Sequence, residues 1–356
     1  MRKHGFPAAA ALAAVIATGW TTPVAAGADE GSYWLSGPYA HDKLAVYLIH
    51  REGGYGGPVP LTLNEAMQQG LIEVIETGEV EELVVRNTGD HEVFIQSGDI
   101  LKGGKQDRVL ITSMIVPPGS GDLSVGVFCV ERGRWSGRGG EEASGFSQST
   151  VRLPSSNGRI ALFEQAQRWL APEGAGAAWS DWSDGEDLQS RVWESVGEVQ
   201  ADLAWAMSLD VADKRSPSSL QLSLENARLA SALERYKANL GSLAQRNPDA
   251  VGYVFAIDGR IAGGDEFAND GLFRKLWPRQ LTAAATEAIA DKDVSTWGHP
   301  TLAEIEAFID AARIGEAAGM SMPGDMNLVT LETDEVLHTE LLRPGGLLVH
   351  RSFIAF

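Results

Sequence analysis

The sequence is poor in the residue types that mark several common classes of protein. Of its 356 residues only one is a cysteine, Cys129, which excludes an internal disulfide. Basic side chains are also scarce, because 29 of them stand against 48 acidic ones, and the formal net charge is −19. A chain this acidic repels nucleic acid, so we expect no nucleic-acid partner.

Motifs for metal and serine chemistry are missing as well. The seven histidines are scattered, and no two have the i, i+2 or i, i+4 spacing of a zinc site, so we expect no bound metal. No Gly-x-Ser-x-Gly elbow is present, so serine-hydrolase chemistry gains no support from a motif. The sequence leaves the identity of any cofactor unknown. His350 is the histidine of interest, because it lies in an apolar terminal strand and faces either solvent or a site.

No apolar run approaches the length of about 20 residues that a membrane span needs. The N-terminus instead combines Arg2 and Lys3 with a short apolar run over 8–18 and small residues over 23–28. This pattern predicts a signal peptide over residues 1–28, cut after Ala26 or Ala28, and a secreted or periplasmic protein. Its removal changes the formal net charge from −19 to −21.

Hydrophobic periodicity predicts an α+β fold. Alternating apolar residues indicate strands over 43–131, which turn-rich segments connect into a mainly antiparallel sheet. In the middle of the chain, from about residue 157 to 243, the apolar residues recur with the period of a helix. Strand pairs return at 252–262 and 328–354, and we expect these β-hairpins to pack into the same core. Because no break in composition divides the chain, we predict a single domain over 33–356.

One helical segment carries a continuous apolar stripe. Over residues 220–243 apolar side chains recur every three or four positions. The stripe is either part of the core or a surface for a partner, which would be a second copy of the chain or another envelope protein. A later helix over 272–290 is expected to be interrupted at Pro278.

The stretch SGDILKGGKQDR, residues 97–108, concentrates glycine and positive charge between two strands. Adjacent glycines let backbone N–H groups converge on an anion, and the cations of this stretch add charge. A tight turn with solvated lysines explains the same residues. The predicted ligand-binding residues here are Lys102, Gly103, Gly104, Lys105, Gln106 and Arg108.

A second cationic segment, ERGRWSGRGGE over 131–141, follows another predicted strand. We expect strands 109–116 and 123–130 to form a hairpin, with both cationic segments at its open end. Arg134 and Arg138 offer planar forks for phosphate or carboxylate, and Trp135 offers a stacking face. The alternative is that these arginines pair with internal carboxylates.

Four carboxylates are candidates for catalysis, as general acid, general base or metal ligand: Asp99, Asp107, Glu131 and Asp265. The first three lie within or beside the cationic segments, where they would otherwise orient the arginines. Asp265 follows Gly263 and Gly264, which form either a strand end that approaches a ligand or a turn with a helix N-cap. Their spacing fits no fixed motif for a metal.

Several separated motifs together resemble one known family. The runs VFIQSGDILKGGKQDRVL, VFCVERGRWSGRGGE, AIDGRIAGGDEF and LLVHRSFI are similar to those of the ARG and Rhodanese-Phosphatase-superfamily-associated domain. The resemblance extends over roughly residues 33–356. It implies an association with NAD or ADP-ribose metabolism, and it assigns no catalytic residues.

Three functions are compatible with these patterns. The first is a secreted or periplasmic domain that binds a small anionic ligand, nucleotide-like and of the ADP-ribose or NAD type, between the two cationic segments. The second is a hydrolase that acts on such a ligand. The third is a non-catalytic interaction module of the cell envelope that associates through 220–243.

Overall fold

A computed structural model of the protein describes residues 32–53, 58–137, 145–170, 188–293, 298–313 and 316–356. The strands are β1 (Tyr33–His41), β2 (Leu44–Arg51), β3 (Leu61–Thr62), β4 (Ile72–Glu76), β5 (Glu82–Asn87), β6 (Val93–Ile95), β7 (Asp99–Gly103), β8 (Arg108–Leu110), β9 (Met114–Val116), β10 (Leu123–Cys129), β11 (Phe146–Arg152), β12 (Ala250–Ile257), β13 (Arg260–Phe267), β14 (Glu316–Met322), β15 (Met326–Glu332), β16 (Val336–Leu342) and β17 (Leu348–Ala355). The helices are α1 (Leu63–Gln68), α2 (Ser156–Leu170), α3 (Leu188–Met207), α4 (Leu220–Leu224), α5 (Ala227–Leu240), α6 (Leu243–Arg246), α7 (Asp270–Ala290) and α8 (Leu302–Ala311). The predicted signal peptide and Arg138 lie outside the described residues.

An eight-stranded antiparallel sheet brings the two ends of the chain together. Its order is β1-β2-β12-β13-β17-β16-β15-β14, so the first two strands pair with strands from the last third of the sequence. In this pairing Tyr253 of β12 lies opposite Leu48 of β2. The C-terminal hairpins therefore share the core of the N-terminal strands, and the predicted α+β class is confirmed.

Two smaller sheets contain most of the remaining N-terminal strands. The six-stranded sheet has the order β11-β7-β8-β10-β5-β4, and the three-stranded sheet has the order β3-β6-β9. The strand predicted over 109–116 is divided between them, because β8 pairs with β10 whereas β9 pairs with β6. Its first part forms the expected pairing, with Val109 opposite Phe128.

Both faces of the central strands are covered, which explains why β2 and β12 are buried along their whole length. Side chains alternate between the faces of a strand. One face packs against α7, where the rings of Tyr253 and Trp277 lie 5.3 Å apart. The opposite face packs against α8, where the ring centres of Phe308 and Phe353 lie 6.1 Å apart. The first of these faces carries the polar groups described below.

The helical middle is divided differently from the prediction. Residues 220–243 form two helices and the start of a third, because the Asn226 side chain accepts hydrogen bonds from the backbone N–H groups of Arg228 and Leu229 and begins α5. Leu233, Tyr236 and Leu240 of the stripe are buried in the main core. Association through this segment remains a prediction.

The predicted interruption at Pro278 is wrong, since α7 runs through it. The missing hydrogen bond and the ring clash cost about 3 kcal/mol. The neighbouring side chains of Trp277 and Leu281 are almost fully buried, and each such side chain stabilises the fold by about 1.5–3 kcal/mol. Burial on both sides of the proline thus outweighs its cost. Among the described helices, none has the length and apolar character needed to cross a bilayer.

Candidate functional site

Strand pairing places the two cationic segments side by side. β8 lies between β7 and β10, so Arg108 is opposite Leu101 on one side and Cys129 on the other. The guanidinium of Arg134 donates to the carbonyl oxygens of Gly104 at 2.9 Å and Gly103 at 3.2 Å. Residues 102–108 and 131–135 therefore form one continuous surface, which we call the cationic surface.

Arg134 is neutralised within this surface. One of its nitrogens lies 2.7 Å from a carboxylate oxygen of Glu131 and 3.6 Å from one of Asp107. Burial favours a raised pKa for Glu131, but the hydrogen bonds from Arg134 and Ser216 and the charge of Arg134 outweigh it and lower the pKa. Glu131 is therefore ionised at neutral pH and acts as an acceptor. Asp107 accepts a further hydrogen bond from Ser219 at 2.9 Å.

The backbone amides of the glycine turn have acceptors inside the protein. Gly103 donates to the Asp107 carboxylate at 2.9 Å, Gly104 to the Gly145 carbonyl at 2.9 Å, and Lys105 to the Glu76 carboxylate at 2.8 Å. Gly104 has a φ of +54°, and a Cβ there would lie 2.3 Å from the ring of Phe146. The glycines thus permit a tight turn and a close ring contact, while these three amides bind protein atoms.

Two further predicted residues have internal partners. Lys102 forms an ion pair with Glu225 at the surface. Gln106 is buried, and its amide oxygen accepts from the Cys129 thiol at 2.9 Å while its amide nitrogen donates to the Glu131 carbonyl at 3.1 Å. Burial raises the pKa of Cys129 to about 11, although Arg108 opposes the shift, so the thiol is protonated at neutral pH. Cys129 is a buried side chain, as the sequence predicts.

Lys105, Arg108 and Trp135 form the part of the surface for which the described ranges provide no carboxylate partner. Lys105 Nζ lies 5.0 Å and Arg108 Cζ lies 5.5 Å from the centre of the Trp135 ring, which is 45% exposed. Arg108 is fully buried, and its Nε and Nη2 have no hydrogen-bond partner in the described part of the chain. Its one hydrogen bond is from Nη1 to Gln106, at 3.4 Å. The buried guanidinium of Arg108 therefore lies beneath the exposed indole of Trp135, and two of its donor nitrogens have no hydrogen-bond partner among the described residues.

The four candidate catalytic carboxylates fall into two groups. Asp107 and Glu131 belong to the cationic surface. Asp265 instead lies on the inner face of β13, where Arg152 and His350 contact it at 2.7 Å and 2.9 Å. Asp99, at the start of β7, pairs with Arg279 at 2.6 Å. The expected turn and N-cap at Asp265 are wrong, because β13 continues to Phe267 and Asn269 caps α7.

Asp265 lies at the centre of a network that we call the buried network. Its members are Gln96, Ser113, Arg152, Tyr253, Asp265, Gln280 and His350. Asp265 accepts from Tyr253 at 3.0 Å and from Gln96 at 3.2 Å, in addition to its contacts with Arg152 and His350. The network joins β6, β11, β12, β13, β17 and α7 through charged and amide groups. A buried polar network this fully bonded fixes the relative positions of the elements that it joins.

Each ionisable group of the buried network has a defined protonation state at neutral pH. Burial favours a raised pKa for Asp265, but Arg152 and His350 outweigh it and lower the pKa to about 2. Burial lowers the pKa of His350, although Asp265 opposes the shift, so the imidazole is neutral at pH 7. Burial also raises the pKa of Tyr253 well above its usual range, so the phenol remains a donor. The network thus holds one anion and one cation, Asp265 and Arg152.

Ser113 completes a Ser–His–Asp sequence of contacts in the buried network, since its Oγ lies 3.1 Å from His350 Nδ1. The serine is only 4% exposed and borders an internal cavity of about 20 Å³ that Arg152 and Arg159 also line. A cavity of this size holds about one water molecule. A substrate has no room there, so the buried network is structural.

Sequence reasoning identified Asp265 and His350 but missed Gln96, Arg152 and Tyr253. These residues are distributed over separate strands, and no local spacing connects them. The available signal was a polar side chain at a core-facing position of a strand, which only His350 displayed clearly. Within the described ranges, no three potential ligand side chains are grouped closely enough to hold a metal ion.

Comparison with known families gives a match over most of the chain. The family model described as the ARG and Rhodanese-Phosphatase-superfamily-associated Protein domain matches residues 32–354. The chain belongs to this family. The resemblance predicted from the separated motifs is thereby confirmed. Comparisons with curated proteins and with solved structures returned no match.

The region matched to the ARG and Rhodanese-Phosphatase-superfamily-associated domain includes both the cationic surface and the buried network. It begins just before β1 and ends within β17, so every described helix and strand lies inside it or overlaps its end. Within this domain the two groups of residues differ in one respect. The charges of the buried network are mutually neutralised, whereas Arg108 has no such partner in the described residues.

Proposed function

We propose that this domain binds a small anionic ligand, nucleotide-like and of the ADP-ribose or NAD type, at Lys105, Arg108 and Trp135. One observation carries the proposal, namely that the buried Arg108 has two donor nitrogens without hydrogen-bond partners among the residues that the structure describes. Removing a cation from water costs several kcal/mol unless an anion compensates for it. Buried hydrogen-bond donors in native proteins nearly always have an acceptor. Two donors without acceptors in a buried guanidinium therefore indicate that a group from outside the protein accepts their hydrogen bonds.

The chemistry of the three side chains supports an anion with an attached ring. The planar fork of a guanidinium suits two oxygens of a phosphate or carboxylate, and Lys105 adds a second positive charge on the same side of Trp135. An exposed indole provides a stacking face for a base. In a nucleotide-like ligand the phosphate would contact Arg108 and Lys105 while the base stacks on Trp135.

Access to Arg108 requires a movement of Trp135. The indole is half-exposed and lies directly over the guanidinium. Side-chain rotation at a binding surface is common when a ligand arrives. We propose that Trp135 rotates away from Arg108 and then stacks on the bound base.

We also propose that binding takes place outside the cytoplasm, which the N-terminal basic, apolar and small-residue pattern supports.

Isothermal titration calorimetry with ADP-ribose and with inorganic pyrophosphate tests the proposal. Arg108→Met should weaken the binding of both ligands by about 10²-fold, since two charge-assisted hydrogen bonds contribute about 1.5 kcal/mol or more each. Trp135→Ala should weaken ADP-ribose by about tenfold and leave pyrophosphate unchanged, because only the former has a base to stack.

Arg132→Met is the matched control. Arg132 is an exposed cation of the same segment that stacks on Trp193, so its replacement should leave both affinities unchanged. Arg108→Met should also preserve or increase the free energy of unfolding, because it removes a buried charge without an ion-pair partner among the described residues. Equal binding by wild type and Arg108→Met would refute the site.

The hydrolase alternative is tested in the same samples. Chromatography after titration should recover ADP-ribose unchanged, which assigns binding alone. Release of AMP would assign hydrolysis, and Asp107 and Glu131 are the nearest candidate carboxylates. Both accept hydrogen bonds from neighbouring groups of the protein.

A further inference from the structure

A second Ser–His–Asp sequence of contacts lies at the β1 edge of the large sheet. Ser36 Oγ is 2.6 Å from His50 Nε2, and His50 Nδ1 is 3.1 Å from a carboxylate oxygen of Asp249. Ser36 lies on β1, His50 on β2, and Asp249 directly precedes β12. None of these residues belongs to the cationic surface or to the buried network.

The hydrogen-bond directions in this group follow from elementary chemistry. An ionised carboxylate only accepts, so His50 Nδ1 carries the proton and donates to Asp249. Nε2 is then an acceptor, which takes the hydrogen bond of the Ser36 hydroxyl. The Tyr39 hydroxyl, 3.1 Å from Ser36 Oγ, donates to that oxygen because the single proton of Ser36 is already engaged. The arrangement holds a serine with its proton directed at an imidazole base.

Accessibility distinguishes Ser36 from Ser113. Ser36 is partly exposed, on a strand that ends the sheet and therefore has one side that pairs with no other described strand. The Asp249 side chain is 45% exposed, and Trp34 stacks on the His50 ring at 5.3 Å while remaining open to solvent. Ser113 is buried, and its histidine presents Nδ1 to the serine instead of Nε2. Of the two groups, only the one at the sheet edge has its serine and its carboxylate exposed to solvent, while its histidine is buried.

A cleft of about 460 Å³ lies beside this group and meets it at Trp34 and Asp249, which line it together with Glu52 and Asp270, whereas Ser36 and His50 are not among its lining residues. The volume falls in the range of small-molecule sites. Arg51 also borders the cleft, but Glu266 neutralises it at 3.1 Å. An indole face beside carboxylates favours a cationic group. The cleft therefore suits a substrate with a positively charged end.

We propose that Ser36, His50 and Asp249 form the catalytic group of an esterase that acts on small carboxylic esters or thioesters with a cationic leaving group. Ser36 Oγ forms a bond to the acyl carbon as its proton passes to His50 Nε2. The bond from the acyl carbon to the leaving oxygen or sulfur then breaks, and that atom takes the proton from Nε2. Water next attacks the acyl-serine, giving a proton to Nε2, which returns it to Ser36 Oγ as the acid leaves.

A fluorophosphonate probe tests the nucleophile, because it forms an Oγ–phosphorus bond and releases fluoride only at an activated serine. Mass spectrometry of the intact wild-type protein should show one adduct, and fragmentation should locate it at Ser36. Ser36→Ala should abolish the adduct. Asp249→Asn, at a half-exposed position, should slow its formation by about 10²-fold or more, as expected when a general base is misaligned.

Ser113→Ala is the matched control, since Ser113 also contacts a histidine but is buried, and it should react at the wild-type rate. Circular dichroism of each variant establishes that it is folded. An absent adduct in the wild type, or an adduct that persists in Ser36→Ala, overturns the proposal.

The substrate class is tested by comparing acetylthiocholine with the neutral S-propyl thioacetate at equal concentration. Faster hydrolysis of the cationic thioester is expected, and equal rates would refute the class. Because the anion site is remote in sequence and uses other residues, failure of either proposal leaves the other unaffected.

Discussion

Replacing Asp265 with asparagine is the sharpest test of the electrostatics of the core. The pKa of Asp265 is lowered from an ordinary value of 3.8 to about 2. At 1.36 kcal/mol per pKa unit, the ionised carboxylate contributes about 2 kcal/mol of stability at neutral pH. Because the pKa is depressed in the folded state, this contribution is complete above pH 3.8 and is lost as pH falls towards 2.

The substitution also leaves Arg152 buried without its carboxylate. Breaking a buried ion pair by removing one partner costs about 3–5 kcal/mol. Arg152 retains its hydrogen bonds to the Ser97 carbonyl at 2.8 Å and to Gln280 at 3.2 Å, so the lower end of that range applies. We expect Asp265→Asn to reduce the free energy of unfolding by about 3 kcal/mol at pH 7.

Urea denaturation of wild type and Asp265→Asn at pH 7, 4, 3 and 2.5 measures both effects. The difference between the two proteins should be constant from pH 7 to 4 and should shrink by about 2 kcal/mol as pH approaches 2. Contributions of other carboxylates, such as Glu340 with a pKa of about 2, are common to both proteins and cancel. Asp90→Asn is the control, because its side chain is 89% exposed and its loss should cost less than about 0.5 kcal/mol. A difference below about 1 kcal/mol at pH 7, or one that does not depend on pH, would refute the reasoning.

Three further predictions follow from single contacts. Gly104→Ala should cost about 2 kcal/mol in urea denaturation, because its Cβ would clash with Phe146, whereas Gly119→Ala, at a similar φ of +58° with open space around it, should cost about 1 kcal/mol or less. Arg351→Met should cost about 3–5 kcal/mol by the same measurement, since it leaves Glu266 and Glu340 buried without the guanidinium that lies 2.8 Å and 2.6 Å from them. Intact mass of the protein recovered from a secreting host should correspond to a chain that begins after Ala26 or Ala28, and retention of residue 1 would refute the signal peptide.

Local sequence signals predicted the parts of the fold that depend on neighbouring residues. The Thr-x-x-Glu patterns that begin at Thr62 and Thr301 predict capping boxes, and both boxes are present with both of their hydrogen bonds. The hairpin at Asp258-Gly259 forms between β12 and β13 because both residues adopt the positive φ that such a turn needs. Strand and helix types were therefore predictable wherever chain neighbours decide the conformation.

Long-range packing decided the parts that were not predictable. The strand predicted over 109–116 breaks at Ser113, whose hydroxyl accepts from the Ser97 backbone, a contact with no local signature. Pro278 stays within a helix because tertiary burial outweighs its local cost. In the candidate site, the meeting of Gly104 with Arg134 was predictable from strand order. The internal bonding of the Gly104 and Lys105 amides was not, since it depends on Gly145, which directly precedes β11, and on Glu76 of β4.

Two buried arginines of the same fold illustrate why the anion site is placed at Arg108. Arg152 and Arg108 are both nearly inaccessible, so each loses its hydration on folding. Arg152 recovers that loss through Asp265, the Ser97 carbonyl and Gln280. Arg108 has only a long hydrogen bond to Gln106 and the face of Trp135 in the described residues, although Cys129 beside it bonds the same glutamine oxygen. Both side chains are positively charged, but only Arg152 has hydrogen bonds and an ion pair that replace its lost hydration. This difference distinguishes a structural cation from one that an external anion would stabilise.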